Sequence, residues 1–168
     1  MPDFNLKFRY DPKEYEEAMR LHFSSVIKLK RDIIIGFMLL IFGLICLYYF
    51  EYSFIWILDI ALSIVLLLIS FSAYYIIPKL AFNRDPKLKD DYNLIFNNDE
   101  IIFNTEKLNS TLEWKIYDKV LENTKFFLIY WGKYTFTVIP KRAFKDEMEI
   151  NNFRNLLKEK ISSYSSQA

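Results

Sequence analysis

The sequence predicts an α+β membrane protein in which a two-helix transmembrane hairpin is combined with a cytoplasmic antiparallel β roll closed by a C-terminal helix. Three observations predict this class. Residues 33–77 form two long apolar runs separated by only three residues, an alternating strand pattern precedes them, and short strand-like runs with an amphipathic helix follow them. Because the first strand needs a sheet to join, we expect the hairpin to interrupt one domain rather than to precede it.

The first 32 residues predict a strand followed by a helix. Apolar and polar side chains alternate from Phe4 to Tyr10, which is the period-two pattern of a half-buried strand. Asp11 is a capping residue, a proline occupies the first helical position, and Glu14 stands three residues after the cap. We expect this helix to continue to Lys28, Lys30 and Arg31 at the membrane. His22 lies on its apolar face and is interpreted as a packed or interfacial side chain, with a ligand role as the alternative. The apolar stripe consists of Tyr15, Ala18, Met19, Phe23, Val26 and Ile27.

The two apolar runs have the lengths that a bilayer requires. Residues 33–50 contain 18 residues without a charge, which extend about 27 Å as a helix. Residues 54–77 contain one charge, Asp59, whose insertion cost is outweighed by the many Ile, Leu, Val and Phe side chains. Lysines and arginines flank the hairpin but not its connecting loop, so a multi-pass topology with both termini cytoplasmic is predicted. The predicted parts are 1–32, 33–77 and 78–168.

Small and polar residues predict how the two spans pack. Gly36 and Gly43 share one face of the first span, and Ser63 and Ser70 share a face of the second. In an antiparallel hairpin we expect Gly43 to face Ser63 and Gly36 to face Ser70. Asp59 lies on the same face as Ser63, and together they form a candidate intramembrane polar site. Asp59 has two interpretations, a structural group near the outer interface or a binding or ion-coupling group that needs several copies of the chain.

After the hairpin the composition changes to short β-type runs. Five of them predict strands: 92–96, 100–104, 111–117, 125–131 and 134–139. Trp114 and Ile116 are expected on the inward face of the third strand, with the Trp114 ring in the core. Gly132 and Lys133 predict a two-residue type II′ turn between the last two strands, because glycine adopts the positive φ of its first position. Pro140 is expected to end the last strand.

The C-terminal segment predicts a capped amphipathic helix. Asp146 and Glu149 form a capping pair. Apolar residues then follow at helical spacing to about Ser162: Ile150, Phe153, Leu156, Leu157 and Ile161. The last four residues, 165–168, are expected to fray.

Composition argues against several functions. The net charge of +1 provides no field for a polyanion, so nucleic acid is not an expected partner. The only cysteine is Cys46, inside the first span, and the only histidine is His22, so no metal-ligand cluster and no histidine general base for a serine or cysteine nucleophile are predicted. We therefore predict no catalytic residue, no metal site and no cofactor, and we do not expect an enzyme.

The order of the strands and the closing helix is that of pleckstrin-homology-like (PH-like) folds, and several segments resemble one bacterial family. These segments are the runs LEWKIY at 112–117, FLIY at 127–130 and IPKRAF at 139–144, and the final helix with its Phe153 and its Leu156-Leu157 pair. Over roughly residues 90–160 the chain resembles the YcxB-like membrane proteins. The resemblance implies a bacterial plasma-membrane protein with two spans before a cytoplasmic PH-like domain, and it implies no catalytic residues.

Basic residues form the candidate contact surface. Lys141, Arg142 and Lys145 follow the last strand, and Lys79 and Arg84 follow the second span. Two interpretations are open: contacts with anionic lipid headgroups or a partner, or ordinary solvated side chains. We predict a membrane-anchored, non-enzymatic binding or scaffold protein whose partners are the lipid bilayer, an unknown protein and a further copy of the chain. The alternative is an immunity protein that protects against a toxin acting at the cell envelope.

Overall fold

A computed structural model describes residues 3–25, 28–50, 53–105 and 109–166. The chain divides into two units, which we call the β unit, residues 1–18 and 85–168, and the helical unit, residues 19–84. The predicted domain boundaries after residues 32 and 77 both fall inside helices of this structure. Each unit is described below by itself.

The first sheet of the β unit joins the N-terminal strand to three strands that follow the helical unit in the chain. Its antiparallel strands lie in chain order: β1 (Phe4–Arg9), β2 (Asp91–Phe96), β3 (Glu100–Asn104) and β4 (Asn109–Glu113). Phe4 pairs with Phe96 and Arg9 pairs with Asp91, so the N-terminal strand joins a sheet whose other strands follow the hairpin. The alternation of the sequence is visible in the structure, because alternate residues of β1 are buried.

The second sheet contains two strands that the sequence did not predict. Its order is β7-β6-β5-β8, with β5 (Lys119–Glu122), β6 (Phe126–Tyr130) and β7 (Phe136–Pro140) antiparallel. The last strand, β8 (Ser163–Ser166), is parallel to β5. The prediction of five strands after the hairpin is therefore wrong, and so is the prediction that Ser165 and Ser166 fray, because both pair with β5.

Two local predictions in the sheets are also wrong. The strand expected over 111–117 ends at Glu113, and residues 114–116 form a 3₁₀ turn, so Trp114 is buried while Ile116 is 39% exposed. The connection between β6 and β7 is longer than a type II′ turn, and the Trp131 amide donates to the Thr135 carbonyl at 3.1 Å. Gly132 does not adopt a positive φ, but a Cβ there would lie 2.6 Å from Thr135 Oγ1. A larger residue at this position would therefore require the Thr135 side chain to move.

The C-terminal helix α5 (Glu147–Lys160) supplies the centre of the core. Asp146 caps it by accepting from the Glu149 amide at 2.7 Å, which confirms the predicted cap. The predicted apolar stripe is buried, and the Phe153 ring lies in its middle. Its ring centroid is 5.2 Å from that of Phe4 in β1, 4.9 Å from that of Phe96 in β2 and 5.5 Å from that of Phe127 in β6. One side chain thus joins both sheets to the helix.

The N-terminal helix is shorter than predicted. Helix α1 (Pro12–Ser25) begins as expected, because Asp11 Oδ1 accepts from the amides of Lys13 at 2.9 Å and Glu14 at 3.1 Å. It does not reach residue 31, since Lys28 has a left-handed φ of 58° and a new helix starts at Leu29. The predicted stripe positions Val26 and Ile27 lie outside the described residues.

The helical unit contains two helices that are long and apolar enough to cross a membrane. Helix α2 (Leu29–Tyr49) has 21 residues. The second, Phe54–Arg84, has 31 residues and consists of α3 (Phe54–Phe71), a π-helical turn (Ser72–Ile76) and α4 (Ile77–Arg84). Only 17% and 11% of their apolar windows are buried, so most of these side chains point outward.

The second helix continues through a proline where the sequence predicted a change to strands. Pro78 has no N–H, so the Tyr74 carbonyl four residues earlier loses its helical donor. The Ile77 amide bonds to the Ser72 carbonyl in the wider π pattern, and Arg20 Nε donates to the Tyr74 carbonyl at 3.4 Å. The Arg20 guanidinium also lies 5.5 Å from the centre of the Tyr74 ring. A side chain from outside the helix therefore supplies the missing donor.

The predicted small-residue faces do pack together in the helical unit. Gly36, Gly43, Ser63 and Ser70 are all buried. A Cβ at Gly43 would lie 2.5 Å from Asp59 Oδ2, and one at Gly36 would lie 2.9 Å from Leu67 Cδ2. The predicted pairs of Gly43 with Ser63 and Gly36 with Ser70 are thus wrong in register. Asp59 and Ile60 lie closest to Gly43, and Leu67 lies closest to Gly36.

Candidate functional site

The β unit contains a cavity of about 320 Å³ whose lining is mostly aromatic. We call it the aromatic cavity. The rings come from both sheets, from α1 and from the connections between strands, and they include Tyr10, Tyr15, Tyr92, Tyr117, Trp131 and Phe136. Leu88, Leu112 and Val138 complete the apolar part of the lining, and Ser110 and Thr137 add hydroxyl groups. This volume lies at the lower end of the range that is usual for small-ligand sites, about 300 to 1,000 Å³.

Tyrosine hydroxyls hold the cavity together. Tyr10 donates its hydroxyl to the Val138 carbonyl at 2.7 Å, which links the end of β1 in the first sheet to β7 in the second. Tyr92 donates its hydroxyl to the Lys87 carbonyl at 2.9 Å. The Tyr10 ring centroid is 5.0 Å from that of Tyr92 and 5.7 Å from that of Tyr15, both at T-shaped angles. Since these hydroxyls bond to the backbone, the rings offer mainly their apolar surfaces to a ligand.

The phenols of the cavity stay neutral at physiological pH. Burial raises the pKa of Tyr10 well above its usual value. Burial, helped by the negative charges of Asp85 and Asp90, raises the pKa of Tyr92 to about 12. Burial also raises the pKa of Tyr117 to about 12, against a hydrogen bond with Thr137 that lowers it. These groups therefore favour contacts with uncharged, apolar parts of a ligand.

One positive charge stands among the described residues that line the cavity, and it belongs to Lys87. Lys87 lies in the exposed 3₁₀ turn Pro86–Lys89. The turn is capped by Asp85, whose Oδ1 accepts from the Lys87 amide at 3.0 Å. The Lys87 side chain can thus meet an anionic group at the rim while apolar groups enter the cavity.

The lining residues lie near both points where the chain passes between the units. Tyr15 is three residues before Ala18, at which the first segment of the β unit ends. Lys87 is two residues after Asp85, at which the second segment begins. The cavity lining thus includes residues close in sequence to both unit boundaries.

The predicted basic residues are not one free cluster. Lys141 Nζ lies 2.6 Å from Glu122 Oε1, and only 15% of its side chain is exposed. Arg142 lies 2.9 Å from Glu14 Oε2 and donates to the Arg9 carbonyl at 2.7 Å. Lys145 is exposed, as are Lys79 and Arg84, but the latter two lie on α4 in the helical unit. Their role in lipid or partner contact stays a prediction, and the pairing of Lys141 and Arg142 weakens it.

A buried carboxylate that the sequence did not single out connects four elements of the β unit. Glu122 in β5 is 3% exposed, and it accepts hydrogen bonds from Lys141, from Arg154 of α5 at 2.6 Å and from the Tyr164 hydroxyl of β8. Burial alone would raise the pKa of Glu122, but these hydrogen bonds outweigh it and lower the pKa to about 2. This arrangement is a structural ion-pair network, since all its donors belong to the fold itself.

The predicted intramembrane residues lie on the packed face of α3. Ser63 is buried and donates its hydroxyl to the Ile60 carbonyl at 2.8 Å. Asp59 Oδ2 is buried against Gly43 and has no hydrogen-bond partner in the part of the chain that the structure describes. Within the same described ranges, no group of three or more His, Cys, Asp or Glu side chains could hold a metal ion. The functional role of Asp59 and Ser63 stays a prediction.

The fold defines an α+β protein with two sheets, antiparallel except for the pairing of β8 with β5, and two helices apolar enough to cross a membrane. Within that class, residues 96–157 match the family model described as YcxB-like protein. The matched segment begins at the last residue of β2 and ends inside α5, and it lies within the stretch that resembles this family in sequence. The resemblance is thereby confirmed for this segment. No curated protein and no solved structure matches the chain.

Proposed function

We propose that the protein is a membrane-anchored, non-enzymatic binding module of the bacterial plasma membrane. Its helical unit crosses the bilayer twice with both termini in the cytoplasm, and its PH-like β unit presents the aromatic cavity at the inner face. The observation on which this rests is an apolar, aromatic cavity in the β unit, lined in part by Tyr15 and Lys87, which are close in sequence to the two positions where the chain passes to the helical unit. A ligand site close to a membrane anchor is the arrangement expected of a protein that binds at the membrane surface.

The strand order supports the PH-like assignment. Four antiparallel strands are followed by three antiparallel strands and a helix whose apolar face packs on both sheets through Phe153. PH-like folds have this order. The parallel strand β8 is an addition after the closing helix.

The exposed surface of the helices supports the membrane assignment. A helix of 21 residues extends about 31 Å, which matches the hydrocarbon thickness of a bilayer. Large apolar side chains such as Ile34, Phe42 and Leu62 are more than half exposed within the chain. So large an apolar surface is rarely left in water by a soluble protein, whereas lipid covers it at no cost. Basic residues at both outer ends favour cytoplasmic termini.

The chemistry of the cavity supports binding rather than catalysis. Its phenols have raised pKa values and are neutral, so they are poor nucleophiles and poor bases at pH 7. Apart from Lys87 at the rim, the remaining polar side chains of the lining are the hydroxyls of Ser110 and Thr137, which need an adjacent base to react. The cavity would therefore hold a ligand mainly through its shape and through contacts with its aromatic rings.

Labelling of single cysteines tests the membrane topology. In a Cys46→Ser background, we expect Ser53→Cys to react with a membrane-impermeant maleimide in intact spheroplasts, because Ser53 stands at the turn of the hairpin. Ser165→Cys in β8 should react only after the membrane is permeabilised. Reaction of both positions in intact spheroplasts, or recovery of the protein in the soluble fraction, would overturn the proposal.

Photo-crosslinking in cells tests the cavity as the binding site. A benzophenone amino acid at Phe136, which lines the cavity, should give a discrete adduct of protein or lipid mass. The Ser110→Phe change fills the cavity and should suppress that adduct. Thr111→Phe is the matched control, because Thr111 is the next residue of β4 and is exposed. An adduct of equal yield in all three proteins would show that the cavity is not the site.

A further inference from the structure

We infer that the aromatic cavity takes one apolar chain of an anionic membrane lipid, whose headgroup meets Lys87 at the rim. This inference rests on the proposed function, because it needs the β unit to lie at a bilayer surface. It adds the chemical class of the ligand and the residue that selects it.

The interior of the cavity matches a hydrocarbon chain. Its walls are ring faces and aliphatic groups, including Phe103, Leu112 and Val138. The Tyr10 and Tyr92 hydroxyls are already bonded to backbone carbonyls, so few free polar groups remain inside to select a polar ligand. At about 320 Å³ the volume suits one chain better than a whole two-chain lipid.

The mouth of the cavity has the side chains that collect at membrane surfaces. Trp131 lines the cavity and is also 50% exposed, so it lies at the entrance. In the same connection Tyr134 is 61% exposed, and the Lys133 ammonium lies 5.1 Å from the centre of its ring. Trp, Tyr and Lys are enriched where apolar and polar layers of a membrane meet. The apolar surface thus continues from the exposed connection between β6 and β7 into the cavity.

The charge at the rim selects the headgroup. Lys87 is exposed, and the Asp85 carboxylate beside it is engaged as a cap on the Lys87 amide. A lysine at this place attracts a headgroup with a net negative charge more strongly than a zwitterionic one, whose phosphate is offset by its own cation. A side chain from a partner protein would also fill an apolar cavity. A lipid is favoured because the exposed Trp131, Tyr134 and Lys133 of the entrance are residue types that are enriched at membrane interfaces, and Lys87 adds a positive charge at the rim.

Photoreactive lipids test this inference on the full chain in vesicles. The vesicles contain phosphatidylglycerol with a diazirine near the end of one acyl chain, and crosslinked peptides are mapped by mass spectrometry. We expect crosslinks on cavity walls in β3, β4 and β7 as well as on the hairpin. Ser110→Phe should reduce the cavity crosslinks about tenfold and Thr111→Phe should leave them unchanged, since only the first residue lines the cavity.

A second pair of variants tests the headgroup without touching the core. With photoreactive phosphatidylcholine in place of phosphatidylglycerol, the cavity crosslinks should fall about fivefold. Lys87→Glu should remove this preference, whereas Lys89→Glu, two residues away on the same exposed turn, should keep it. Equal cavity labelling by both lipids, or an unchanged preference in Lys87→Glu, would overturn the assignment of Lys87.

Crosslinks on the hairpin separate the two proposals. Labelling of the hairpin without labelling of the cavity strands would overturn the lipid ligand while leaving the membrane-anchored binding module intact. If a Ser110-dependent protein adduct then appeared in cells, the cavity would belong to a protein ligand. The absence of label on the hairpin would overturn the proposed function itself.

Discussion

The two units of this chain contain similar apolar residues but place them differently, buried in the β unit and exposed in the helical unit. The β unit encloses its large side chains, so that Leu6, Phe96 and Phe153 are almost completely buried. The helical unit does the reverse, because most of its Ile, Leu and Phe side chains point outward while Gly43 and Ser70 are buried. A core of large rings holds a domain together in water, whereas close contact of small residues joins helices in lipid. The difference is the one expected if, as proposed, the helical unit lies in lipid and the β unit lies in water.

The strongest way to test this comparison is to remove the central ring of the β unit. Phe153→Ala should destabilise the β unit by about 3 to 5 kcal/mol, because Phe153 contacts rings from both sheets and leaves a cavity when truncated. Hydrogen exchange of β1, β2 and β6 amides in the full chain measures the loss. Met148→Ala is the control, since Met148 lies on the same helix and is 69% exposed. Equal exchange in the two variants would contradict a core centred on Phe153.

The buried ion-pair network gives the β unit a specific response to acid. Glu122 has its pKa lowered to about 2, so its ionised form is favoured by folding. Its contribution is complete above the usual glutamate pKa of about 4.3 and is lost as the pH falls toward 2, a difference of about 3 kcal/mol. Glu122→Gln should lose stability at pH 7 and show less further loss between pH 4.5 and 2.5, as followed by hydrogen exchange in β5.

The control for this prediction is a glutamate with a similar partner and a different environment. Glu113 pairs with Lys115, and both side chains are more than 60% exposed. Glu113→Gln should change stability by less than about 1 kcal/mol at either pH. If Glu122→Gln lost as much stability between pH 4.5 and 2.5 as the wild-type protein, the acid response would have to come from other groups.

The helical unit should be destabilised by a larger side chain at its helix contact, whereas the β unit is destabilised by truncation of a core side chain. Gly43→Ile introduces a side chain whose Cβ alone would lie 2.5 Å from Asp59 Oδ2 and 2.9 Å from Ile60 Cγ1, so α2 and α3 separate unless these two side chains repack, at a cost of about 1 to 3 kcal/mol. The natural Cys46, buried at 4% exposure one turn further along, reports the separation. Its reaction with N-ethylmaleimide should accelerate in Gly43→Ile and stay unchanged in Leu44→Ile, where the side chain is exposed. An unchanged rate in both would mean that the contact at Gly43 tolerates the larger side chain.

The smallest effect is expected at the basic residues that the sequence suggested as a contact surface. Arg142 pairs with Glu14, and half of the Arg142 side chain is exposed. Arg142→Gln should therefore reduce the stability of the β unit by less than about 1 kcal/mol and leave the lipid crosslinks of the cavity unchanged. A clear loss of those crosslinks would show that Arg142 belongs to the lipid-contact surface after all.

Local patterns predicted much of the fold. The alternation at Phe4 to Arg9, the caps at Asp11 and Asp146 and the buried stripe around Phe153 depend on neighbouring residues, and all are present in the structure. The short strand β8 has three serines in four residues, and its only large side chain is Tyr164. Such a segment has little β propensity of its own, and its pairing with β5 is set by tertiary contacts.

The site was harder to predict because it is assembled from distant segments. The aromatic cavity combines Tyr15, Tyr92 and Trp131, which are far apart in sequence and read individually as core residues. The helix through Pro78 was missed for a similar reason, since the donor for the Tyr74 carbonyl is Arg20, more than fifty residues earlier. Lys141 and Arg142 looked like a free basic pair because their carboxylate partners, Glu122 and Glu14, lie elsewhere in the chain.

The pairing of β1 with β2 also constrains the order of events during synthesis. Phe4 and Phe96 are neighbours in the sheet, yet the whole helical unit lies between them in the chain. The ribosome therefore releases β1 first, then both apolar helices, and only afterwards the strand that β1 needs. Closing so long a loop is a late and slow step in folding. The N-terminal strand must remain unpaired until the hairpin has been made, so the β unit is completed on a hairpin that is already in place.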